Sequence, residues 1–339
     1  MKCIETEKAV GHILCHDITQ IIPGQTKDAR FRKGHVVTEA DIPVLLSLGK
    51  EHLYVWEPAP GMVHENDAAL RLQAICQNRY MKASPVKEGK IELSAETAGL
   101  FLVDRERLLQ INMNDQLMIA TRHGDTAVHP GDKLAGMRII PLMIEESRLV
   151  EAEQIGGGRP LLQILPWKMK TAGMIVTGSE IYKGRITDKF GPVVEEKLKA
   201  YGVEVVDKAL SDDNKEMICE NIQRMRRQKV DMIVCTGGMS VDPDDCTPGA
   251  IRDSGADIVS YGSPVLPGAM LLLGYFADGV PILGLPGCVM YAKATVFDLV
   301  LPHIVAGHEV DKAFLAAKGH GGLCLGCAEC HYPNCAFGK

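Results

Sequence analysis

Between about residues 170 and 310 the chain alternates short apolar runs with amphipathic stretches, and the runs end in loops rich in glycine or acid. Few folds accept that pattern. A near-continuous apolar run is a strand buried on both faces, and strands joined through helices must cross over to pair in parallel. The expected fold is therefore α/β, a three-layer, mostly parallel sheet. Strands are predicted at 174–177, 203–206, 231–235, 258–259, 270–273 and 281–283. A helix from Pro192 carries Val193, Val194, Lys197, Leu198 and Tyr201 and stops at Gly202. The next buries Met217, Ile218, Ile222 and Met225, and its Arg224, Arg226, Arg227 and Lys229 suit the negative helix end. A last helix is expected from about Val289 to Val305.

A chain of 339 residues exceeds one average core, and smaller β-rich or α+β domains are expected ahead of the sheet. Residues 1–57 read as a small β-containing domain. Ile13-Leu14 and Ile21-Ile22 flank the turn Pro23-Gly24. A helix from Glu39 presents Ile42, Leu45, Leu46 and Leu48 before Gly49, and a strand follows at 53–56. Pro58-Ala59-Pro60-Gly61 breaks the pattern. Residues 58–165 read as an α+β accessory domain, with a helix at 67–78 and then short strands and turns up to Ile144. Gly156-Gly157-Gly158 reads as a loop or linker before the α/β domain at 170–310, and a cysteine-rich tail occupies 311–339.

Composition narrows the function classes. With 46% hydrophobic and 24% charged residues the chain is globular rather than disordered. A net charge of −6 argues against a nucleic-acid partner. The apolar stretch around 270–276 is too short to span a bilayer, and the first residues lack a secretory apolar core, so a cytoplasmic location away from membranes is expected.

Ligands of open α/β sheets bind beyond the carboxyl ends of the strands. The unusual loops fall there. They are Thr177-Gly178-Ser179-Glu180 with Asp188 shortly after; Asp212-Asp213; Thr236-Gly237-Gly238-Met239-Ser240-Val241-Asp242-Pro243-Asp244-Asp245; and Gly284-Leu285-Pro286-Gly287. Glycine pairs expose backbone amides suited to phosphate, and neighbouring carboxylates suit Mg²⁺ bridging to phosphate oxygens. Each loop also has a plainer reading: Gly-Gly as a turn, Asp212-Asp213-Asn214 as a helix N-cap, 242–245 as a solvated acidic loop. No dinucleotide fingerprint or Gly-Lys-Ser/Thr phosphate loop is present.

Thr177-Gly178-Ser179-Glu180, Thr236-Gly237-Gly238-Met239-Ser240-Val241 with Asp245, and Gly284-Leu285-Pro286-Gly287 together resemble the molybdopterin-binding domain. That domain is shared by molybdopterin adenylyltransferases and molybdopterin molybdenumtransferases. Segments 34–55 and 128–144 resemble the accessory domains of the molybdenumtransferases more weakly. The resemblance implies a transferase of molybdenum-cofactor biosynthesis, in which Mg²⁺-dependent cleavage of adenylylated molybdopterin is coupled to molybdate insertion. Glu180, Asp212 or Asp213, and Asp245 match the acidic positions that would hold Mg²⁺ and orient water or molybdate. Thr236, Gly237, Gly238 and Ser240 would cradle the phosphate or pterin, with Gly287 closing the other side. Thr177, Gly178, Ser179, Asp188, Asp242 and Pro286 complete the expected binding set. A homodimer, and a molybdoenzyme or cofactor-pathway partner, are implied only by this resemblance.

Three departures fall at the site. Ser240-Val241-Asp242-Pro243 stands where Ser-Val-Gly is usual, and Pro267-Gly268-Ala269-Met270 lacks the lysine of Pro-Gly-Lys-Pro. Cys288-Val289 replaces Asn-Pro. They keep open a non-catalytic molybdopterin carrier or sensor, and a phosphohydrolase of other nucleotides.

Of eleven cysteines, four fall in the final sixteen residues as Cys324-x2-Cys327-x2-Cys330-x4-Cys335, with His331 among them. Such runs occur in iron–sulfur proteins, and four thiolates also make a zinc site. A redox-sensing or soft-metal-holding segment and a flexible tail with incidental thiols are the other readings. Cys219 and Cys235 read as core residues.

Overall fold

The computed structural model describes residues 2–22, 26–56, 60–240 and 245–339. The expected turn at Pro23-Gly24 and the Pro58-Ala59 part of the breaker lie outside the described residues. The chain divides into two compact units, one of residues 1–96, 103–122 and 131–163, the other of 97–102, 123–130 and 164–339.

The second unit carries the alternating pattern. Its elements are β1 (Thr171–Thr177), α1 (Phe190–Lys199), β2 (Glu204–Ser211), α2 (Lys215–Arg227) and β3 (Met232–Thr236). There follow α3 (Thr247–Asp253), β4 (Asp257–Tyr261), β5 (Leu272–Tyr275) and β6 (Pro281–Leu285). The unit ends with α4 (Val296–Ala306) and α5 (Lys312–Ala317). A single helical turn, Ser179–Tyr182, follows β1.

The six strands lie in the order β2-β1-β3-β6-β5-β4. β2, β1, β3 and β6 pair in parallel, and β5 runs antiparallel to both neighbours. The continuous apolar runs follow from burial on both faces. Successive strand side chains point to opposite sides. Met174 and Val176 pack with α1 and α4 through Val194, Leu198, Phe297 and Val300. Ile175 and Cys235 pack with α2 and α3 through Ile218, Ile222 and Ile251. Burial pushes the Cys235 thiol up to about 12, so it behaves as a small apolar core group, as expected from its place in an apolar strand.

Capping side chains set the starts of two later helices. Asn214 caps α2, its side chain accepting the amide of Met217 at 2.8 Å. The last helix begins at Val296 rather than Val289, because Thr295 and Asp298 form a capping box that sets its start. Residues 287–290 are instead one 3-10 turn.

In the first unit, Lys2–Glu5, His52–Trp56 and Ile13–Leu14 form an antiparallel sheet over Leu14, Ile18, Leu45 and Val55. The helix expected from Glu39 is a 3-10 turn, Glu39–Asp41, running into Ile42–Ser47. The next spans Glu65–Cys76. Helix Arg105–Asn112 arises where short strands and turns were expected, and helix Glu146–Gly156 follows the last expected strand. The first buries only Ile111 and the second only Leu149 and Ala152, too few apolar positions to register as a stripe. Gly156 ends its helix and is no linker: a Cβ there would lie 2.3 Å from Ile75 Cγ2, so the glycine lets two helices meet. No helix of the described residues is long and apolar enough to cross a membrane.

Within α4, His303 is fully buried, with Nδ1 at 3.2 Å from His308 Nδ1 and Nε2 at 3.9 Å from Asp125. Burial lowers its pKa to about 4 against the pull of Asp125. In the unfolded chain the imidazole takes its proton below about 6.5, so between those values the unfolded state binds more protons and stability falls as the pH is lowered. At ~1.4 kcal/mol per unit, acidification through this window should cost about 1–3 kcal/mol. Denaturant titrations at several pH values should show the slope in the native chain and a flatter one in His303→Gln.

Candidate functional site

Strand register decides whether the four loops meet. Thr177 pairs with Ser211, Val176 with Thr236, and Thr236 with Leu285. The last residues of β2, β1, β3 and β6 thus form one row across the sheet, and the loops leave from it side by side. Two buried threonines tie the row together. Thr177 Oγ1 donates to the Thr236 carbonyl at 3.0 Å and lies 3.2 Å from Thr247 Oγ1, which donates to the Gly237 carbonyl at 3.0 Å.

This close approach is what demands glycine. At Gly237 φ is +84°, and a Cβ would fall 2.2 Å from the Thr177 carbonyl oxygen. A Cβ on Gly238 would fall 2.8 Å from Thr247 Oγ1. Close packing of Thr177 and Thr247 is by itself enough to require glycine at both positions. Met239 is buried and fills the space over Gly284, where a Cβ would lie 2.5 Å from Met239 Cε, so the loop is pegged into the core. Ser240 is exposed beyond it, and the Tyr261 hydroxyl donates to the Met239 carbonyl at 3.0 Å.

The acidic residues hold these loops in shape. Asp213 accepts the Ser179 amide at 2.8 Å, and Asp245 accepts the Ser240 amide at 2.7 Å. Asp212 accepts the Ser179 hydroxyl, takes the Asp213 amide at 3.0 Å and lies 3.7 Å from Lys183 Nζ. The Ser179 hydrogen bond, with help from Lys183, lowers the Asp212 pKa and keeps it ionised. Asp188 caps α1, accepting the amides of Phe190 and Gly191 at 2.8 and 2.9 Å, and pairs with Lys208 at 2.9 Å. Its burial would raise the pKa, but the Gly191 amide and Lys208 outweigh it and the carboxyl is lowered. Glu180 is exposed on the helical turn after Gly178. Pro286 is buried, while Gly287 is exposed with open space where a Cβ would be. Asp242 lies outside the described residues.

The row therefore brings together Thr177, Gly178, Ser179, Asp212, Asp213, Thr236, Gly237 and Gly238, while Asp188 serves α1. Thr236 Oγ1 is buried without a hydrogen-bond partner among the described residues, at the last position before the glycine pair. No three His, Cys, Asp or Glu side chains among the described residues are grouped to hold a metal ion. Mg²⁺ needs only one or two carboxylates when substrate phosphates and water supply the rest; Asp212 and Asp213 are adjacent here, each already engaged by Ser179. Sequence reasoning missed Thr247 and Lys183. Thr247-Pro248 reads only as a helix start, and Lys183 meets Asp212 across two loops that no local spacing relates.

Residues 173–306 match the family model described as Probable molybdopterin binding domain. The match runs from β1 to α4 and takes in the whole strand-end row. Residues 3–57 match a second model, a domain of unknown function (DUF8806). A 76-residue stretch is 36% identical to the CinA-like protein of Mycobacterium tuberculosis (strain H37Rv), covering 22% of this chain and 18% of that protein. The chain thus spans less than a fifth of the length of the curated relatives it matches. Among solved structures, the molybdopterin biosynthesis enzyme MoaB of Thermus thermophilus is 22% identical over 42% of this chain and 99% of its own, with a TM-score of 0.34. A molybdenum cofactor biosynthesis protein of Pyrococcus furiosus is 12% identical over 92% of this chain and 65% of its own, with a TM-score of 0.28.

Thr247→Val should strip the Gly237 carbonyl of a buried donor at a cost of about 1–3 kcal/mol. Gly237→Ala should cost at least as much, since it adds a clash to an unfavourable φ. Urea unfolding of both variants checks the pair, and a change under about 0.5 kcal/mol in either would contradict the packing account.

Proposed function

We propose that this domain binds a molybdopterin-type pterin phosphate in molybdenum-cofactor biosynthesis and processes its adenylylated form with Mg²⁺ and molybdate. The observation that carries the reading is the in-register row of strand ends inside the span that matches the molybdopterin-binding model. In this reading Gly237, Gly238 and Ser240 face the phosphate or pterin, with Thr236 Oγ1 as a buried group available to it and exposed Gly287 on the far side. Glu180, Asp212, Asp213 and Asp245 are the acids that would hold Mg²⁺ and orient water or molybdate. Bound there, Mg²⁺ would neutralise charge developing on the pyrophosphate. The chain's own part is positional: Asp213 and Asp245 fix the amides of Ser179 and Ser240, which holds the two loops ready before ligand arrives.

A second reading is a non-catalytic carrier or sensor of molybdopterin. Two observations favour it. Ala269 stands where the molybdenumtransferases have a lysine, and Asp212 is engaged by Ser179, Asp213 and Lys183.

AMP release from adenylylated molybdopterin with Mg²⁺ and molybdate separates the two. On the enzyme reading the native chain releases AMP, and Glu180→Gln and Asp245→Asn each slow release by about 10²-fold or more. Glu180 is exposed, so its variant folds normally. Pterin binding without AMP release would favour the carrier, and no pterin binding at all would sink both.

A further inference from the structure

The C-terminal cysteines form part of a closed loop rather than a free tail. The Leu266 amide donates to the Gly322 carbonyl and the Cys324 amide to the Leu266 carbonyl, both at 2.8 Å. At the far end the Gly338 amide donates to the Gly321 carbonyl at 2.9 Å, and Phe337 is buried. Midway, the Tyr332 hydroxyl donates to the Asp298 carbonyl at 2.9 Å. Between these anchors Cys324, Cys327, Cys330, His331 and Cys335 all line one cavity of about 310 Å³.

We propose that this cavity binds a [4Fe–4S] cluster through Cys324, Cys327, Cys330 and Cys335. The inference stands apart from the pterin reading. All four cysteines are free. Their two-residue spacings followed by a more distant fourth thiol suit cluster ligation. Geometry separates a cluster from zinc. Four thiolates on one zinc lie ~2.3 Å from a common point, which puts the sulfurs about 3.8 Å apart. No three His, Cys, Asp or Glu side chains among the described residues are grouped to hold a single metal ion, while all four cysteines line one cavity. A four-iron cluster takes one thiolate at each corner, so it spreads its ligands and fills the space between them.

The loop also grades its ligands by depth. Cys324 and Cys335 pack against the apolar core, whereas Cys327 and Cys330 are exposed. The first two make a fixed floor and the second two a rim able to close. Delivery from a preformed cluster bearing four small thiolates is a simple exchange. Four protein sulfurs bind iron, and their four protons leave on the displaced thiolates, with no change of oxidation state.

The full chain, purified without oxygen, is mixed with such a preformed [4Fe–4S] thiolate complex and desalted. The expected result is equal amounts of iron and acid-labile sulfide retained with the protein, with broad visible thiolate-to-iron absorption. Cys327→Ser/Cys330→Ser changes only exposed positions, and retention should drop at least tenfold while circular dichroism stays native. Cys3→Ser, an exposed cysteine of the other compact unit, should retain the cluster in full. Three outcomes overturn the proposal: zinc held in preference to the cluster, with Co²⁺ giving a tetrahedral thiolate spectrum; a folded chain retaining neither; or undiminished retention in the double variant.

Discussion

The row of strand ends depends on one constraint, the parallel register of β2, β1, β3 and β6. β1, β3 and β6 are buried on both faces while β2 is a half-exposed edge, so a one-residue slip of the inner strands would exchange the side chains facing α1 and α4 with those facing α2 and α3. With register held, Thr177, Ser211, Thr236 and Leu285 fall into line and the loops after them become neighbours. The Thr177–Thr247 pair and the contact of Gly237 with the Thr177 carbonyl follow directly. Break the register, and no loop would have its neighbour.

The polar groups of this edge have two kinds of work. Asp213 and Asp245 satisfy loop amides, Asp188 satisfies the start of α1, and Asp212 links Ser179 to Lys183. An acidic cluster that also shapes its loops is preorganised: its charge is held in place by the amides and hydroxyls it accepts. The same engagement limits the freedom of Asp212 to take a metal, which is why the carrier reading has structural content.

The C-terminal segment shows the other use of a core. Leu315 and Phe337 are buried with the α4 side of the sheet, and Cys324, Tyr332 and Cys335 lean on that same cluster. Burial of these few side chains lets a glycine-rich, cysteine-rich stretch keep a defined path without strands or long helices.

Much of the fold was legible in the chain. Unbroken apolar runs announced strands covered on both faces, Asn214 announced the cap of α2, and glycine and acid at strand ends marked the edge where a site was expected. Helices Arg105–Asn112 and Glu146–Gly156 were not legible, since each buries too few side chains to leave a period. Nor was the packing around the glycine pair legible: the carbonyl of Thr177 and the hydroxyl of Thr247 that crowd it are distant in sequence and close only in space. Sequence by itself determined the layers and the cysteine spacing, because both rest on local period and residue type. Tertiary structure alone decided that Lys183 reaches Asp212 and that Thr247 bridges two loops. It also decided that four thiols share one cavity, because long-range pairing sets those distances and no local pattern encodes them.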